Sequence, residues 1–412
     1  MIFPMAAPLV TLGDVRAARE ILAGVVRTTP MEPSRGFPPG PGSKIFYKLE
    51  NVQRAGAYKV RGAYVRIARL SDAERARGVV AASAGNHAQG VALAAGLLGA
   101  KSTVFMPTGA PIPKVAATKG YGASVELVGS TVDDALDAAR EFAHATGAVF
   151  IHPFDHADVI AGQGTVALEI LEQLPDVKTI IAGVGGGGLI SGIAVVAKAL
   201  RPDIKVIGVQ AEGAAAFPPS LRAGRLVRLP HIHTIADGIK VSTPGEVTFT
   251  HVSELVDEVV TVSDEDISHA LLMLLERSKL VVEPAGAVGV ATLLRDPERF
   301  EGPVCVVLSG GNIDPLLMLR VIEHGLTAAG RFLRFTVRCG DRPGVLAAIL
   351  GLIARYGGNV LDVMHQRHDP RLQLGEVAVE LSVETRGDDH STRLIAALEE
   401  AGYELTFLRP HA

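Results

Sequence analysis

The chain has no tryptophan, only two cysteines, and aromatic residues at just 5% of its 412 positions. Cys305 and Cys339 lie far apart and without metal-ligand spacing, so neither a disulfide framework nor a cysteine-built zinc site is expected. Each sits in an apolar run (Val304-Cys-Val-Val and Thr336-Val-Arg-Cys) and reads as a small buried hydrophobe. No apolar run approaches the roughly 20 residues of a membrane span. The start, Met1 to Val10, lacks a basic segment and carries two prolines, which makes a poor signal peptide. A net charge of −4 gives no basic face for phosphates, so nucleic-acid binding is not expected. These absences lead to the expectation of a cytoplasmic protein with neither membrane nor nucleic-acid partners.

What is abundant is glycine, 45 residues, many of them clustered. Up to about Gly325, short β-branched runs alternate with longer Ala/Leu-rich stretches, the pattern of an α/β fold with a largely parallel sheet. Strands are predicted at Lys44–Leu49, Gly78–Ala82, Ser102–Met106, Ser124–Val128, Thr179–Ala182, Lys205–Gln210 and Pro303–Leu308, with helices such as Ala88–Leu98 and Leu189–Leu200 between them. After a short boundary at Ala328-Ala-Gly-Arg the order becomes βαββαβ: Phe332–Arg338, Val345–Tyr356, Val360–His368, Gly375–Val383, a helix near Ser391–Ala401, and Glu404–Leu408. That order reads as a ferredoxin-like small domain. The expected organisation is therefore 1–325, with a smaller subdomain of about 48–150 inserted, and 331–412.

Four stretches carry residue types suited to chemistry. Lys59 follows Ala55-Gly-Ala-Tyr and precedes Val60, an uncharged approach that suits a lysine kept partly neutral for Schiff-base work; taken alone, a surface lysine is the stronger reading. Ser83-Ala84-Gly85-Asn86-His87 falls where a predicted strand becomes a helix, where free backbone N–H groups bind a carboxylate or simply need a cap. Gly185-Gly186-Gly187-Gly188-Leu189 lets the backbone fold around a phosphate at a helix N-terminus. Ser309 follows an apolar strand and suits a ring nitrogen or a helix cap. Gly183, Gly185 and Gly188 also match G-x-G-x-x-G, with Glu212 after the next strand, which keeps a nicotinamide-dependent dehydrogenase open.

Together these stretches resemble the fold-type II pyridoxal-phosphate enzymes (tryptophan synthase β-like, with open parallel sheets). Within them the chain is similar to the threonine dehydratase (threonine ammonia-lyase) family with one C-terminal ACT domain. His152-Pro-Phe-Asp155, Ala161-Gly-Gln-Gly-Thr165, Ala236-Asp-Gly238 and Val282-Glu-Pro-Ala-Gly-Ala287 belong to the same pattern. So do Asp341-Arg-Pro-Gly-Val-Leu346 and Gly358-Asn-Val360 of the tail.

The resemblance implies pyridoxal 5'-phosphate held on Lys59, with Asn86 at its phenolic oxygen, Gly185 to Leu189 at the phosphate and Ser309 at the pyridine nitrogen. It implies that Ser83 to His87 receive the substrate carboxylate and that Lys59 is the base at Cα. The implied reaction converts L-threonine to 2-oxobutanoate and ammonia, and L-serine to pyruvate, in isoleucine biosynthesis or in a catabolic role. A homo-oligomer, dimer or tetramer, is implied as well, with an ACT domain that either binds an amino-acid effector or only assembles the oligomer. Two departures stand out. Ala57-Tyr58-Lys59 replaces the usual Ser-Phe-Lys. In the loop that resembles the family's cation site, Glu212 and the Ala216 carbonyl are candidate ligands, but Pro218 stands at an expected acid. Family racemases carry a serine at the position of Ala84, so a serine racemase is a weaker alternative. A non-enzymatic amino-acid sensor is the remaining one.

Overall fold

The computed structural model describes residues 8–37, 44–328, 330–368 and 372–407. The expected leader reading concerns Met1 to Val10, of which residues 1–7 lie outside this range, as does Leu408 of the last predicted strand. Two compact units are formed, one up to Asp314 and one from Pro315 onward. The helix Pro315–Ala328 thus belongs to the second unit, before the boundary expected near Gly325.

The first unit holds two sheets. The larger is built from β1 (Met31–Pro33), β2 (Ile45–Lys48), β7 (Thr179–Gly183), β8 (Lys205–Ala211), β9 (Glu258–Val262) and β10 (Val304–Val307), in the order β1-β2-β10-β7-β8-β9. All neighbours in it are parallel except the β1–β2 pair at one edge. The smaller sheet comes from residues between β2 and β7. It comprises β3 (Val79–Ala82), β4 (Ser102–Met106), β5 (Ser124–Leu127) and β6 (Val149–Phe150), ordered β5-β4-β3-β6 and parallel throughout. Every residue of β3, β7 and β10 is buried, which is why these strands read as continuous apolar runs rather than alternating ones. Helices cover both faces, as parallel connections require.

The second unit is a four-stranded antiparallel sheet, β12 (Asn359–Gln366), β13 (Glu376–Glu384), β11 (Phe332–Gly340) and β14 (Glu404–Phe407) in that order. Helices Val345–Arg355 and Asp388–Glu400 lie between β11 and β12 and between β13 and β14, giving the expected βαββαβ order. Its core gathers Phe335, Val337, Ile349, Ile353, Val379, Leu381, Val383, Leu394 and Leu398.

Cys305 is buried, and burial pushes its thiol up to about 12. Cys339 departs from expectation. It sits one residue from the end of β11 and is only half-buried. Among the described residues, no helix is long and apolar enough to cross a membrane.

Candidate active site

The chemistry-bearing stretches meet at the carboxyl ends of the parallel strands, where open α/β sheets bind ligands. Lys59 opens the helix Lys59–Ala68, reached from β2 through two short turns in which Ala55 takes φ +58°. Its Nζ donates to the Pro153 carbonyl at 2.9 Å and lies 5.3 Å from the Tyr58 ring centroid. Tight packing disfavours the ammonium ion and draws the amine down to about 8, against the opposing pull of the Glu283 carboxylate. The alternative of an ordinary surface lysine does not survive this placement. Gly90 explains part of the packing: a Cβ there would lie 3.2 Å from the Lys59 carbonyl carbon.

Ser83 follows β3, and its Oγ accepts the Gly85 amide at 3.1 Å. Gly85 precedes the helix Asn86–Leu97 and offers no side-chain cap, leaving the first N–H groups of that helix available to a ligand. Ser83, Ala84, Gly85 and Asn86 keep solvent access, whereas His87 is buried and donates from Nε2 to the Ile151 carbonyl at 2.8 Å. Burial and the Lys59 charge bring His87 down to about 3, so it is neutral.

The glycine run ends β7 and starts the helix Gly188–Leu200, again without a side-chain cap. Gly187 has φ +100°, a conformation that favours glycine. A Cβ on Gly186 would lie 2.3 Å from the Phe154 ring, and one on Gly187 would lie 2.9 Å from Phe217 and from Thr248. The Thr248 hydroxyl donates to the Gly186 carbonyl at 2.5 Å. Asp155 in turn accepts the amides of Glu246, Val247 and Thr248 at 3.0, 2.9 and 3.1 Å, capping the helix that carries Thr248. One loop, Pro153-Phe-Asp155, therefore touches both Lys59 and the glycine run.

Ser309 follows β10, is 5% exposed, and its carbonyl accepts the Tyr58 amide at 3.2 Å. Its hydroxyl has no hydrogen bond among the described residues. Lys59, Asn86, Ser309 and Gly185 to Leu189 are thus assembled on one set of strand ends.

Glu212 and Ala216 are not part of this assembly. The Ala216 carbonyl already accepts the Ser220 amide at 3.3 Å and hydroxyl at 2.7 Å. Glu212 Oε1 faces Arg295 Nη1 at 3.9 Å, and Pro218 lies in the first turn of the helix Phe217–Ala223. No group of three metal-binding side chains occurs among the described residues.

Sequence reasoning missed several groups. Glu283 and Asn312 stand beside Asn86. His152 accepts the Phe154 and Asp155 amides on Nδ1 at 3.3 and 2.8 Å, and burial brings it down to about 4. Behind the lysine helix lies a buried ion cluster. Lys48 meets Glu169 at 2.6 Å, while Arg61 meets Glu169 at 2.7 Å and Glu50 at 2.8 Å. The available signal was charge inside the apolar strand at Lys48.

This donor set suits one cofactor: an uncapped glycine-rich helix start for a phosphate, a half-buried amine with a lowered proton affinity, and an unengaged hydroxyl. Residues 22–310 match the family described as pyridoxal-phosphate dependent enzyme. The chain belongs to that family. Residues 334–400 match the ACT domain, so this pyridoxal-phosphate enzyme carries an ACT domain at its C-terminal end. The L-threonine ammonia-lyase of Thermotoga maritima is 46% identical over 397 residues, covering 96% of this chain and 99% of the relative. Among solved structures, the threonine deaminase isoform 2 of Solanum lycopersicum, in its processed form, is 34% identical with a TM-score of 0.71, covering 78% of this chain and 98% of that one. Maize serine racemase is 36% identical with a TM-score of 0.72, covering 78% and 99%. Membership removes the dinucleotide reading of the Gly183–Gly188 pattern.

Proposed function

We propose that this pyridoxal-phosphate enzyme is an L-threonine ammonia-lyase, converting L-threonine to 2-oxobutanoate and ammonia, and L-serine to pyruvate. The observation that carries the reading is the amine of Lys59, tightly packed and drawn down to about 8, at the meeting point of the Ser83 loop, the glycine run and Ser309. The extent of identity to a relative named for this activity supports it.

Pyridoxal phosphate bound through Lys59 supplies an electron sink for the pair released at Cα. Gly185 to Leu189 would hold its phosphate with uncapped N–H groups at the positive end of a helix. Asn86 would meet its phenolic oxygen. Ser309 would place a neutral hydroxyl at the ring nitrogen, which leaves that nitrogen largely unprotonated. Ser83 to His87 receive the substrate carboxylate on backbone N–H groups. Lys59 takes the Cα proton; an amine with a proton affinity close to neutrality is well matched to that exchange. The β-hydroxyl then leaves as water, and hydrolysis returns that water to give the oxo acid and ammonia.

The likeness to a serine racemase makes one alternative specific. Racemisation needs an acid/base on the face opposite Lys59, and Ala84 carries no transferable proton. Serine differs from threonine by one methyl, worth about 1–3 kcal/mol in a fitted pocket, so both are substrates and threonine is preferred.

The ACT domain binds an amino-acid effector, isoleucine, in a cytoplasmic homo-oligomer serving isoleucine biosynthesis. Steady-state rates on L-threonine and L-serine, with and without isoleucine, valine and AMP, test this reading. Inhibition by isoleucine supports the biosynthetic role, and activation by AMP supports a catabolic one. D-serine formation at a rate matching elimination would reverse the choice over racemase.

A further inference from the structure

A chain of amides ends at Asn86, and its hydrogen bonds have only one consistent direction. Asn312 Nδ2 lies 2.8 Å from the Ala55 carbonyl and 2.8 Å from Asn86 Oδ1. Asn86 Nδ2 lies 2.5 Å from Glu283 Oε1. The Ala55 carbonyl can only accept, so the Asn312 amide nitrogen must face it. That nitrogen then spends its second N–H on Asn86 Oδ1, which turns Asn86 Nδ2 toward Glu283. Flipping Asn86 would set two oxygens against each other at Glu283 and two NH₂ groups against each other at Asn312. With one N–H committed to Glu283, Asn86 retains a single N–H for a ligand.

The space around this chain is closely fitted. A Cβ on Gly310 would lie 2.3 Å from Glu283 Oε1 and 3.0 Å from Asn86 Nδ2, and one on Gly56 would lie 2.3 Å from Asn312 Oδ1. The Glu283 amide donates to the Gly310 carbonyl at 3.0 Å, fixing the start of the helix Pro284–Arg295 against the Ser309 loop. The charged groups acting on Glu283 are Lys59, Lys114 and Asp237, and Lys114 pairs with Asp237 at 3.8 Å.

We propose that Glu283 and Asn312 are positioning residues that lock the Asn86 amide with one N–H aimed at the cofactor. The inference rests on the reading of Asn86 as the contact to the cofactor's phenolic oxygen. Glu283 must accept at Oε1 to hold this order; a glutamine there is free to present NH₂ instead. Burial, with the Lys59 charge contributing, brings His87 and His152 down to about 3 and about 4, so both stay neutral between pH 6 and 9.

The test uses holoenzyme of E283Q, N312A and N86A, following the visible absorption of the bound cofactor against pH and kcat and KM for L-threonine. E283Q is expected to shift the titration midpoint of the cofactor band by about 0.5 unit or more, since the acceptor that fixes the direction of the Asn86 amide is altered. Its kcat should fall about tenfold or more, with a smaller change in KM, as for a lost charge-assisted hydrogen bond. N312A should alter the band without removing charge. If E283Q fails to retain cofactor, N312A decides by the same two readouts. Midpoint and kcat in E283Q and N312A both equal to wild type, with an altered N86A band, would overturn the positioning role alone. An unaltered N86A band would overturn the Asn86 reading and this inference with it.

Discussion

Lys59 Nζ and the Pro153 carbonyl oxygen are 2.9 Å apart, although 94 residues separate them in sequence. The same Pro153-Phe-Asp155 loop packs Phe154 against Gly186 and caps the helix bearing Thr248. The amine and the phosphate-suited loop are therefore set by one short segment, and several outcomes follow from that arrangement.

Packing that draws Lys59 down to about 8 increases the neutral, nucleophilic fraction at a given pH relative to a free lysine. Uptake of pyridoxal phosphate by the cofactor-free protein should therefore speed up with rising pH and level off above about 8. Stopped-flow absorbance measures this. A rate still climbing steeply above pH 10 would contradict the lowered value.

Gly186→Ala sets a methyl against the Phe154 ring, and Gly187→Ala adds the cost of a left-handed residue, about 1–2 kcal/mol. Both should weaken cofactor binding about tenfold or more by equilibrium dialysis, while the far-ultraviolet circular dichroism stays native. Unchanged affinity in both would remove the cradle role.

Arg61 forks onto Glu50 through Nε and Nη2 at 2.9 and 2.8 Å, on the helix that begins with Lys59. Removing one partner of a buried pair leaves an uncompensated charge and costs about 3–5 kcal/mol. Arg61→Met should lower the urea midpoint accordingly, and a change of under about 1 kcal/mol would show that the cluster relaxes freely.

Because the Ala216 carbonyl is engaged by Ser220 and Glu212 faces Arg295, chelation should be without effect. Dialysis against EDTA is expected to leave activity and Tm at their starting values. Loss of either, restored by Mg²⁺ or Mn²⁺, would contradict this.

Much of this is legible in the sequence for physical reasons. Fully buried parallel strands such as Val304–Val307 are apolar runs, so their positions can be read to within a residue or two. The glycine run and the uncharged approach to Lys59 also show directly in the sequence. Glu283 and Asn312 are not legible as partners of Asn86, because 197 and 226 residues intervene and only the fold brings them together. The same holds for Lys48 and Glu169, 121 residues apart. Sequence likewise shows ligand types and not whether a carbonyl, such as that of Ala216, is already engaged by its own helix. Cys339 is only half-buried because it packs at the margin of the small domain's core, which its sequence neighbours do not reveal.

The most direct measurement is 2-oxobutanoate release from L-threonine by the wild-type holoenzyme and by Lys59→Ala, with borohydride-fixed cofactor located by peptide mass spectrometry. Steady turnover and cofactor fixed on Lys59 are expected in the wild type, with turnover reduced by about 10³-fold or more in the variant. A Lys59→Ala protein that releases 2-oxobutanoate at the wild-type rate, or cofactor fixed on another lysine, would contradict it.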